Sequence, residues 1–243
     1  MKIIGIIPAR YKSSRLPGKA IKDICGKPMI WWPYQQAEKV KQLDAVYVAT
    51  DDARIEAVCK EHGLNVVMTA DTHPTAFSRA CEVAEKVKAD YYVMINGDEP
   101  LINPDHIAAV IPEREIEPGE EVAINTITQM DSAAEVNDAS NIKVVFDQNN
   151  RALYMSRTAI PFPSKRIDFQ YWKHVGITGL SKGMLAAYAT MKMGEFESVE
   201  GIDHMRFIDA GKVITFVKIS HANTLSVDTQ KDLEKVREIL AQK

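Results

Sequence analysis

The strongest constraint on the fold is an alternation of short apolar runs and amphipathic segments along the first half of the chain. Continuous apolar runs occupy residues 3–7, 45–49, 66–68 and 91–95, as expected for strands buried on both faces of a sheet. Helical patterns cover residues 29–40, 52–61 and 80–88, and Asn103 with Pro104 begins another helix to about residue 115. This alternation predicts an α/β fold with right-handed crossovers and a mostly parallel sheet.

The pattern changes after residue 119. Shorter segments at 122–130, 141–146, 151–155 and 174–180 predict strands of a mixed lobe, and helices are expected at 182–192 and 198–210. A last strand at 213–219 precedes a helix at 229–243 that begins behind Asp228, with Asp228 or Thr229 as its cap. Because no Gly- or Ser-rich linker interrupts the chain, we expect one domain over 1–243, with a smaller lobe at about 120–220.

Charge and cysteine content exclude several classes of protein. The 30 Lys and Arg nearly balance the 33 Asp and Glu, leaving a net charge of −3 and no charged tail. A nucleic-acid or membrane-surface partner is therefore not expected. No apolar run approaches the roughly 20 residues that span a bilayer, and the N-terminal run is too short for a signal peptide. Three cysteines without CxxC spacing indicate a reducing compartment, so we expect a cytoplasmic protein.

A basic loop directly follows the first predicted strand. Residues 8–19, PARYKSSRLPGK, contain four cationic side chains, two serine hydroxyls and Gly18. Cationic side chains and backbone N–H groups in such a loop can enclose a polyphosphate. The loop fits neither a Walker A motif nor GxGxxG, so it does not predict a dinucleotide fold. The alternative is that these cations are solvated loop charges.

Two aspartates are candidate metal ligands. Asp98 lies in Asn96-Gly97-Asp98-Glu99-Pro100, at the end of an apolar strand and at the same predicted edge as the basic loop. An aspartate that faces a polyphosphate suits Mg²⁺, which takes few protein carboxylates together with phosphate oxygens and water. Asp228 is a possible second ligand. The alternatives are a simple turn at Asp98 and a helix cap at Asp228.

A scattered set of polar residues could serve a second substrate. Arg157 follows a predicted strand and could bind a carboxylate, and His174 begins another strand. Glu200, Asp203 and His204 are expected on one face of the helix predicted at 198–210. Each of these also fits a surface or structural role. Arg79, at the beginning of a helix, and the backbone next to it could hydrogen-bond the edge of a nucleobase. The alternative is a solvated loop.

The chain resembles the CMP-Kdo synthetase family, the 3-deoxy-manno-octulosonate (Kdo) cytidylyltransferases, almost from end to end. The resemblance is carried by residues 4–30 (IIPARYKSSRLPGKAIKDICGKPMI), 47–52, 96–102 (NGDEPLI), 142–161, 174–179 (HVGITG) and 227–237. It implies a three-layer, Rossmann-like nucleotidyltransferase fold and a Mg²⁺-dependent reaction with CTP. CMP would be transferred to a 2-keto-3-deoxy sugar acid with release of pyrophosphate, an activation step for lipopolysaccharide biosynthesis. It also implies a homodimer built through the smaller lobe.

The resemblance also implies a role for each matching residue. Arg10, Arg15 and Lys19 would hold the triphosphate and, with Asp98, carry catalysis, while Asp98 and Asp228 would hold Mg²⁺. The expected nucleotide-binding residues are Ala9, Arg10, Ser13, Lys19, Arg79, Gly97 and Asp98. The expected acceptor-binding residues are Arg157, His174, Glu200, Asp203 and His204.

Departures from the family pattern cluster around the expected acceptor. Where the family has Ser-Gly-Thr-Asp-Arg, this chain has TAFSR at residues 75–79. It also has Asn96 in place of Gln, Thr178 in place of Tyr, and Asp203-His204 in place of Glu-Gln. We therefore expect the CTP chemistry to be retained with Kdo, an amino-substituted or longer (nonulosonic) acid, or a small phosphonate as acceptor. Two other classes remain open: a metal-dependent glycosyltransferase, and a nucleotide-binding subunit without catalysis. The basic loop and both aspartates favour the cytidylyltransferase.

Overall fold

A mixed β-sheet between two layers of helices forms the framework of the protein. A computed structural model describes residues 1–13, 15–166, 168–220 and 225–242. The strands are β1 (Ile3–Ala9), β2 (Asp23–Ile24), β3 (Lys27–Pro28), β4 (Ala45–Thr50), β5 (Val66–Met68), β6 (Tyr91–Ile95), β7 (Ala123–Gln129), β8 (Lys143–Phe146), β9 (Ala152–Ser156), β10 (Trp172–Ser181) and β11 (Thr215–Lys218). The helices are α1 (Trp31–Glu38), α2 (Ala53–Glu61), α3 (Ala76–Lys86), α4 (Pro104–Ala108), α5 (Ala133–Asn137), α6 (Lys182–Thr190), α7 (Glu195–Glu200), α8 (Met205–Asp209) and α9 (Gln230–Leu240), with a 3-10 turn at Lys19–Ile21.

The strand order confirms the predicted α/β fold. The sheet runs β11-β7-β10-β6-β1-β4-β5, and a β8–β9 hairpin joins it at β10. β1 pairs in parallel with β4 and β6, whereas β10 is antiparallel to both β6 and β7. Since β1 and β6 are parallel neighbours, the segments that follow them leave the sheet at one edge. This edge carries the basic loop and the Asp98 segment.

Alternation along β1 shows why the sheet needs a helical layer on each face. Ile4 and Ile6 pack in one core with residues of α3 and α6, whereas Ile3 and Ile7 pack in another with residues of α1 and α2. All four are buried. A strand that is apolar at every position is therefore fully covered, as the continuous runs in the sequence predict.

One predicted helix is wrong, and it affects the site. Residues 198–210 do not form a single helix: α7 ends at Glu200, Gly201 adopts a left-handed conformation (φ 63°), and α8 begins at Met205. Glycine at this position ends a helix readily because it has no Cβ to clash in the left-handed region. Glu200, Asp203 and His204 therefore do not share a helix face.

Other element bounds differ from expectation in smaller ways. α4 covers only Pro104–Ala108, although Asn103 caps it and Pro104 begins it as predicted. α3 begins earlier than predicted because Thr75 and Ser78 form a capping box. The sequence patterns also missed α5 and the short β2–β3 hairpin. Ser14 of the basic loop and Lys243 of the predicted last helix lie outside the described residues.

A small apolar cluster attaches α9 to the basic loop. Leu16 of that loop packs with Val227, Leu233 and Val236. Thr229 is the N-cap of α9, so the Asp228 side chain is left free of that role. Among the described residues, no helix is both long and apolar enough to cross a bilayer.

Truncation of this cluster should destabilise the protein measurably. Leu233→Ala removes a side chain that is 1% exposed and should lower the free energy of unfolding by about 2–4 kcal/mol. Urea unfolding, followed by circular dichroism, measures this free energy. The control is Lys235→Ala, an exposed substitution on the same helix, whose free energy of unfolding should stay within about 0.5 kcal/mol of wild type. Equal stability of the two variants would show that α9 is not held through Leu233.

Candidate functional site

The basic loop folds back on itself at Gly18. The Gly18 N–H donates to the Tyr11 carbonyl at 2.9 Å, and Gly18 has φ 66°. A Cβ at this position would lie 3.0 Å from the Tyr11 ring, so glycine is needed for both conformation and space. This closure directs Lys19 across the edge of the sheet, towards the segment that follows β6.

Lys19 brings the two predicted metal ligands together. Its Nζ donates to Asp98 Oδ2 at 2.6 Å and to Asp228 Oδ1 at 3.0 Å. The Val227 N–H donates to the Asp98 carbonyl at 2.8 Å, which fixes the two backbone segments side by side. Burial opposes the charge of Lys19, but the carboxylates outweigh it and raise the Lys19 pKa. Lys19 is therefore a permanent cation between two acids.

A cavity of about 400 Å³ opens above this cluster. Arg15 reaches it from the loop and pairs with Asp228 at 2.9 Å, with more than half of its side chain exposed. All nine residues predicted for nucleotide or metal line the cavity: Ala9, Arg10, Ser13, Arg15, Lys19, Arg79, Gly97, Asp98 and Asp228. The structure thus assembles the predicted phosphate and metal residues around one space.

Arg79 is the buried cation of this cavity. Its side chain is 2% exposed; Nη1 donates to the Thr69 hydroxyl, and Nη2 lies 3.2 Å from Asp51 Oδ2. Nη2 nevertheless completes no hydrogen bond with the described residues. The Asp51 carboxylate offsets the charge of Arg79, but Nη2 keeps a hydrogen-bonding capacity for a ligand that enters the cavity.

A second cavity of about 180 Å³ adjoins the first and shares Pro8, Ala76 and Asn96 with it. Its polar side chains are Asn96, His174, Thr178, Asp203 and His204. Three predicted acceptor residues, His174, Asp203 and His204, are thus brought together here. Asp203 and His204 reach it from the segment between α7 and α8, which the helix break at Gly201 makes possible.

The titrating groups of the second cavity have shifted pKa values. Burial lowers the pKa of His174 to about 4, and burial together with His174 lowers the pKa of His204 well below its usual range. Both imidazoles are neutral at physiological pH. Burial raises the pKa of Asp203, whose Oδ2 accepts a hydrogen bond from the Ala76 N–H at 3.3 Å. The cavity is rich in hydrogen-bond acceptors.

Arg157 and Glu200 lie outside the lining of both cavities. The Arg157 guanidinium donates to the carbonyls of Glu200, Gly201 and Ala139 at 2.9, 3.3 and 3.1 Å. Glu200 accepts from the Ser156 hydroxyl and the Arg157 N–H at 2.6 and 3.0 Å. Both side chains therefore hold the chain next to Gly201, which does line the second cavity.

Comparison with known proteins identifies the family. A family model described as cytidylyltransferase matches residues 4–214. The chain belongs to the cytidylyltransferase family. The 3-deoxy-manno-octulosonate cytidylyltransferase of Escherichia coli is 39% identical over 241 residues, covering 99% of this chain and 97% of the relative. The 8-amino-3,8-dideoxy-manno-octulosonate cytidylyltransferase of Shewanella baltica is 36% identical over 244 residues, covering 99% of each chain.

A solved structure agrees with these relatives. CMP:2-keto-3-deoxy-manno-octonic acid synthetase complexed with CTP superposes with a TM-score of 0.92 at 37% identity, covering 100% of this chain and 99% of that one. The predicted family, fold class and activity class, a CTP-dependent nucleotidyltransferase, are confirmed. Cytidylyltransferases of this family generally use a divalent metal ion.

The carboxylates of this cytidylyltransferase fit such an ion. Asp98 and Asp228 already share one cation, the Lys19 ammonium, and both are partly exposed to the first cavity. Within the described ranges, no group of three or more His, Cys, Asp or Glu side chains could hold a metal by itself. Two carboxylates suit a hard cation that takes its other ligands from substrate phosphates and water.

Two buried residues of this cytidylyltransferase escaped the sequence analysis. Glu99 is 5% exposed and accepts a hydrogen bond from Asn96 Nδ2 at 3.1 Å; burial and then the neighbouring Asp98 raise its pKa to about 7. Asn125 of β7 is fully buried and contacts His174. Asn125 gave no distinct signal, because β7 (AINTITQ) carries several polar residues and the sequence does not show which of them are buried. Glu99 gave no signal either, because Gly-Asp-Glu-Pro has the composition of a turn, which is usually exposed.

Proposed function

We propose that this cytidylyltransferase transfers CMP from CTP to a 2-keto-3-deoxy sugar acid, either Kdo or its 8-amino derivative, and releases pyrophosphate. The observation that carries the proposal is the pair of adjoining cavities, one basic and one rich in hydrogen-bond acceptors, that share Asn96. The relatives from E. coli and S. baltica are named for these two acids. The basic cavity would take the nucleotide, and the second cavity would take the sugar acid.

The nucleotide is held by charge and by one buried donor. Arg10, Arg15 and Lys19 face the first cavity and would neutralise the triphosphate, including the charge that grows on departing pyrophosphate. Nη2 of Arg79, which makes no hydrogen bond among the described residues, would donate to an acceptor atom of the cytosine. Ala9, Ser13 and Gly97 line the same wall. A Cβ at Gly97 would lie 2.9 Å from the Pro8 carbonyl, so this wall allows no side chain at position 97.

The reaction depends mainly on positioning. The anomeric hydroxyl of the acid attacks the α-phosphorus in line. An O–P bond forms, the bond to pyrophosphate breaks, and the hydroxyl proton is released to solvent. Asp98 and Asp228 would hold the divalent ion, which we propose to be Mg²⁺. When bound, such an ion polarises phosphate oxygens and offsets their charge. Lys19, held between both carboxylates, would keep them oriented towards the phosphates.

The acceptor would contact Asn96, His174, Asp203 and His204. Asp203 is the single formally charged side chain among the described residues that line the second cavity, because both histidines are neutral there. A carboxylate that lines this cavity favours an acceptor with a cationic group, which supports the 8-amino acid. Arg157 and Glu200 would act on the acceptor indirectly, since they hold the segment beside Gly201.

A matrix of substrates tests the proposal. The four NTPs, each with Mg²⁺, are combined with Kdo, 8-amino-Kdo, a nonulosonic acid and a small phosphonate, and pyrophosphate release is measured. We expect turnover with CTP and the two octulosonates, with the lower KM for the 8-amino acid. Turnover restricted to the phosphonate or the nonulosonic acid would reject the proposed acceptor, and release of no pyrophosphate with any acid would reject the reaction.

The same assay separates the contribution of Asp203. Asp203→Asn should remove the preference for the 8-amino acid and leave the KM for CTP within about twofold, because Asp203 lines only the second cavity. The exposed Glu195→Gln on α7 is the matched control and should change neither KM. An unchanged preference in Asp203→Asn would show that another group reads the amine.

Removal of one carboxylate tests the metal assignment. Asp98→Asn should lower kcat by on the order of 10² or more, as other electrostatic deletions do, with an unchanged circular dichroism spectrum. Asp105→Asn, an exposed substitution outside both cavities, should keep wild-type kcat. Near-normal kcat of Asp98→Asn at saturating Mg²⁺ would exclude Asp98 as a metal ligand.

We further propose a cytoplasmic homodimer assembled through the lobe at about 120–220. Exposed apolar side chains on β9 and α7 support it: Leu153, Phe196 and Val199 are 57%, 49% and 79% exposed, and Phe196 contacts Tyr154. Surfaces of this kind commonly become buried between subunits. The free thiols of Cys25, Cys59 and Cys81 suit a reducing compartment. Sedimentation velocity at micromolar concentration should show a dimer; a monomer at every concentration would exclude one.

A further inference from the structure

An irregularity in β10 places the wall of the second cavity. The register between β10 and β7 shifts between His174 and Thr178, so that four residue steps on β10 face two on β7. Such a bulge leaves backbone groups outside the regular ladder and redirects side chains. The carbonyls of Val175 and Ile177 in this bulge accept hydrogen bonds from Asn125 Nδ2 at 3.0 and 2.7 Å. The Asn125 side chain therefore completes the bulge.

These carbonyls fix the orientation of the Asn125 amide. A carbonyl oxygen can only accept, so the amide nitrogen must face Val175 and Ile177. The amide oxygen then faces the other way, where Oδ1 lies 2.8 Å from His174 Nδ1. Because this oxygen can only accept, His174 must carry its proton on Nδ1. Because burial keeps the ring neutral, Nε2 then has a free lone pair.

His174 Nε2 is the ring nitrogen that remains for a ligand. His174 lines the second cavity, and among the described residues no group hydrogen-bonds its Nε2. Asn125 itself is fully buried and outside the lining of both cavities, so it cannot touch a ligand there. The network continues through the Thr178 hydroxyl, 3.0 Å from Asn125 Nδ2 and 2.9 Å from His204 Nε2.

We propose that Asn125 is a positioning residue for the acceptor: it fixes His174 as the Nδ1–H tautomer, so that Nε2 accepts a hydrogen bond from a hydroxyl or ammonium group. This rests on the proposed function, in which the second cavity holds the sugar acid. With the opposite tautomer, the wall would present an N–H donor to a substrate that is itself rich in donors. Asn125 thus acts on the substrate through the histidine ring and not by contact.

The tautomer can be read without any substrate. Two-bond ¹H–¹⁵N correlation spectra of the full chain labelled with ¹⁵N-histidine, assigned with His174→Gln, should show a protonated Nδ1 and an unprotonated Nε2 for His174 at neutral pH. A protonated Nε2 with a bare Nδ1 would overturn the proposal. The spectrum tests the tautomer itself, and the acceptor KM of the substituted protein tests whether binding depends on it.

A pair of substitutions at the bulge tests the consequence for binding. Asn125→Leu keeps the approximate shape of the side chain but removes the oxygen that accepts from His174 Nδ1. It should raise the acceptor KM about tenfold, which is the effect of one lost hydrogen bond. The KM for CTP should stay within twofold, and the Nδ1–H signal of His174 should be lost. Unchanged acceptor KM together with a lost Nδ1–H signal would overturn the positioning role.

Thr126→Val is the matched control. Thr126 is also fully buried on β7, and its hydroxyl approaches the same carbonyls, Val175 and Ile177, at 3.5 and 3.4 Å without contacting a histidine. It should leave the tautomer and both KM values unchanged. A tenfold rise in acceptor KM in Thr126→Val as well would assign the effect to the bulge backbone and overturn the proposal. Should Asn125→Leu not fold, the wild-type spectrum decides.

Failure of the proposed function has a different signature. Wild-type enzyme would then release no pyrophosphate with Kdo or 8-amino-Kdo, whatever the spectrum of His174 shows. In that case the acceptor role of Asn125 is overturned together with the function. A wild-type enzyme that turns over either acid, combined with an unaffected acceptor KM in folded Asn125→Leu, rejects the positioning role alone.

Discussion

The Lys19 ammonium between Asp98 and Asp228 is the interaction on which the candidate site depends. It joins segments that lie 79 and 209 residues from Lys19 in the chain. Two carboxylates this close to each other repel unless a cation lies between them. The backbone bond from Val227 to Asp98 and the packing of Leu16 against Val227 hold the same three segments together without charge. Packing and this backbone bond therefore support the arrangement that the Lys19 ion pairs complete at the cavity.

Charge is divided unequally between the two cavities. The first contains Arg10, Arg15 and Lys19 beside two carboxylates, whereas Asp203 is the charged side chain among the described residues that line the second. A polyphosphate and a polyol acid would thus meet different electrostatic surroundings on either side of Asn96. Neutral imidazoles suit the second cavity because they accept hydrogen bonds without adding a positive charge that would attract phosphate. This division favours one ligand in each cavity.

Local sequence patterns predicted much of the fold because burial in the sheet dictates where apolar residues occur. The runs at β1, β4 and β6 are apolar at nearly every position, and this has few explanations other than a strand covered on both faces. The basic loop and Asp98 were expected at one edge because parallel neighbouring strands end together. The proximity of Asp228 to Asp98 could not be calculated from spacing, since it depends on how α9 packs.

The acceptor side was harder to predict for a physical reason. Gly201 lies inside a helical pattern, where a single glycine is tolerated, and only its left-handed conformation shows that the helix ends there. Arg157 has the chemistry of an anion receptor, yet its guanidinium is taken up by backbone carbonyls, which no sequence pattern reveals. The role of Asn125 could be inferred only from the pairing register of β7 and β10. Tertiary contacts, and not local propensities, determine the conformation and contacts of these residues.

Gly176, in the bulge of β10, has a consequence for how this site can change. A Cβ there would lie 1.8 Å from Asn96 Nδ2, far inside any tolerable contact. No L-amino acid other than glycine can therefore occupy position 176 while the Asn96 amide stays where it is. Position 176 can accept a larger residue only if the Asn96 side chain moves aside or is replaced. A laboratory search for altered acceptor range that varies codon 176 should therefore vary codon 96 with it.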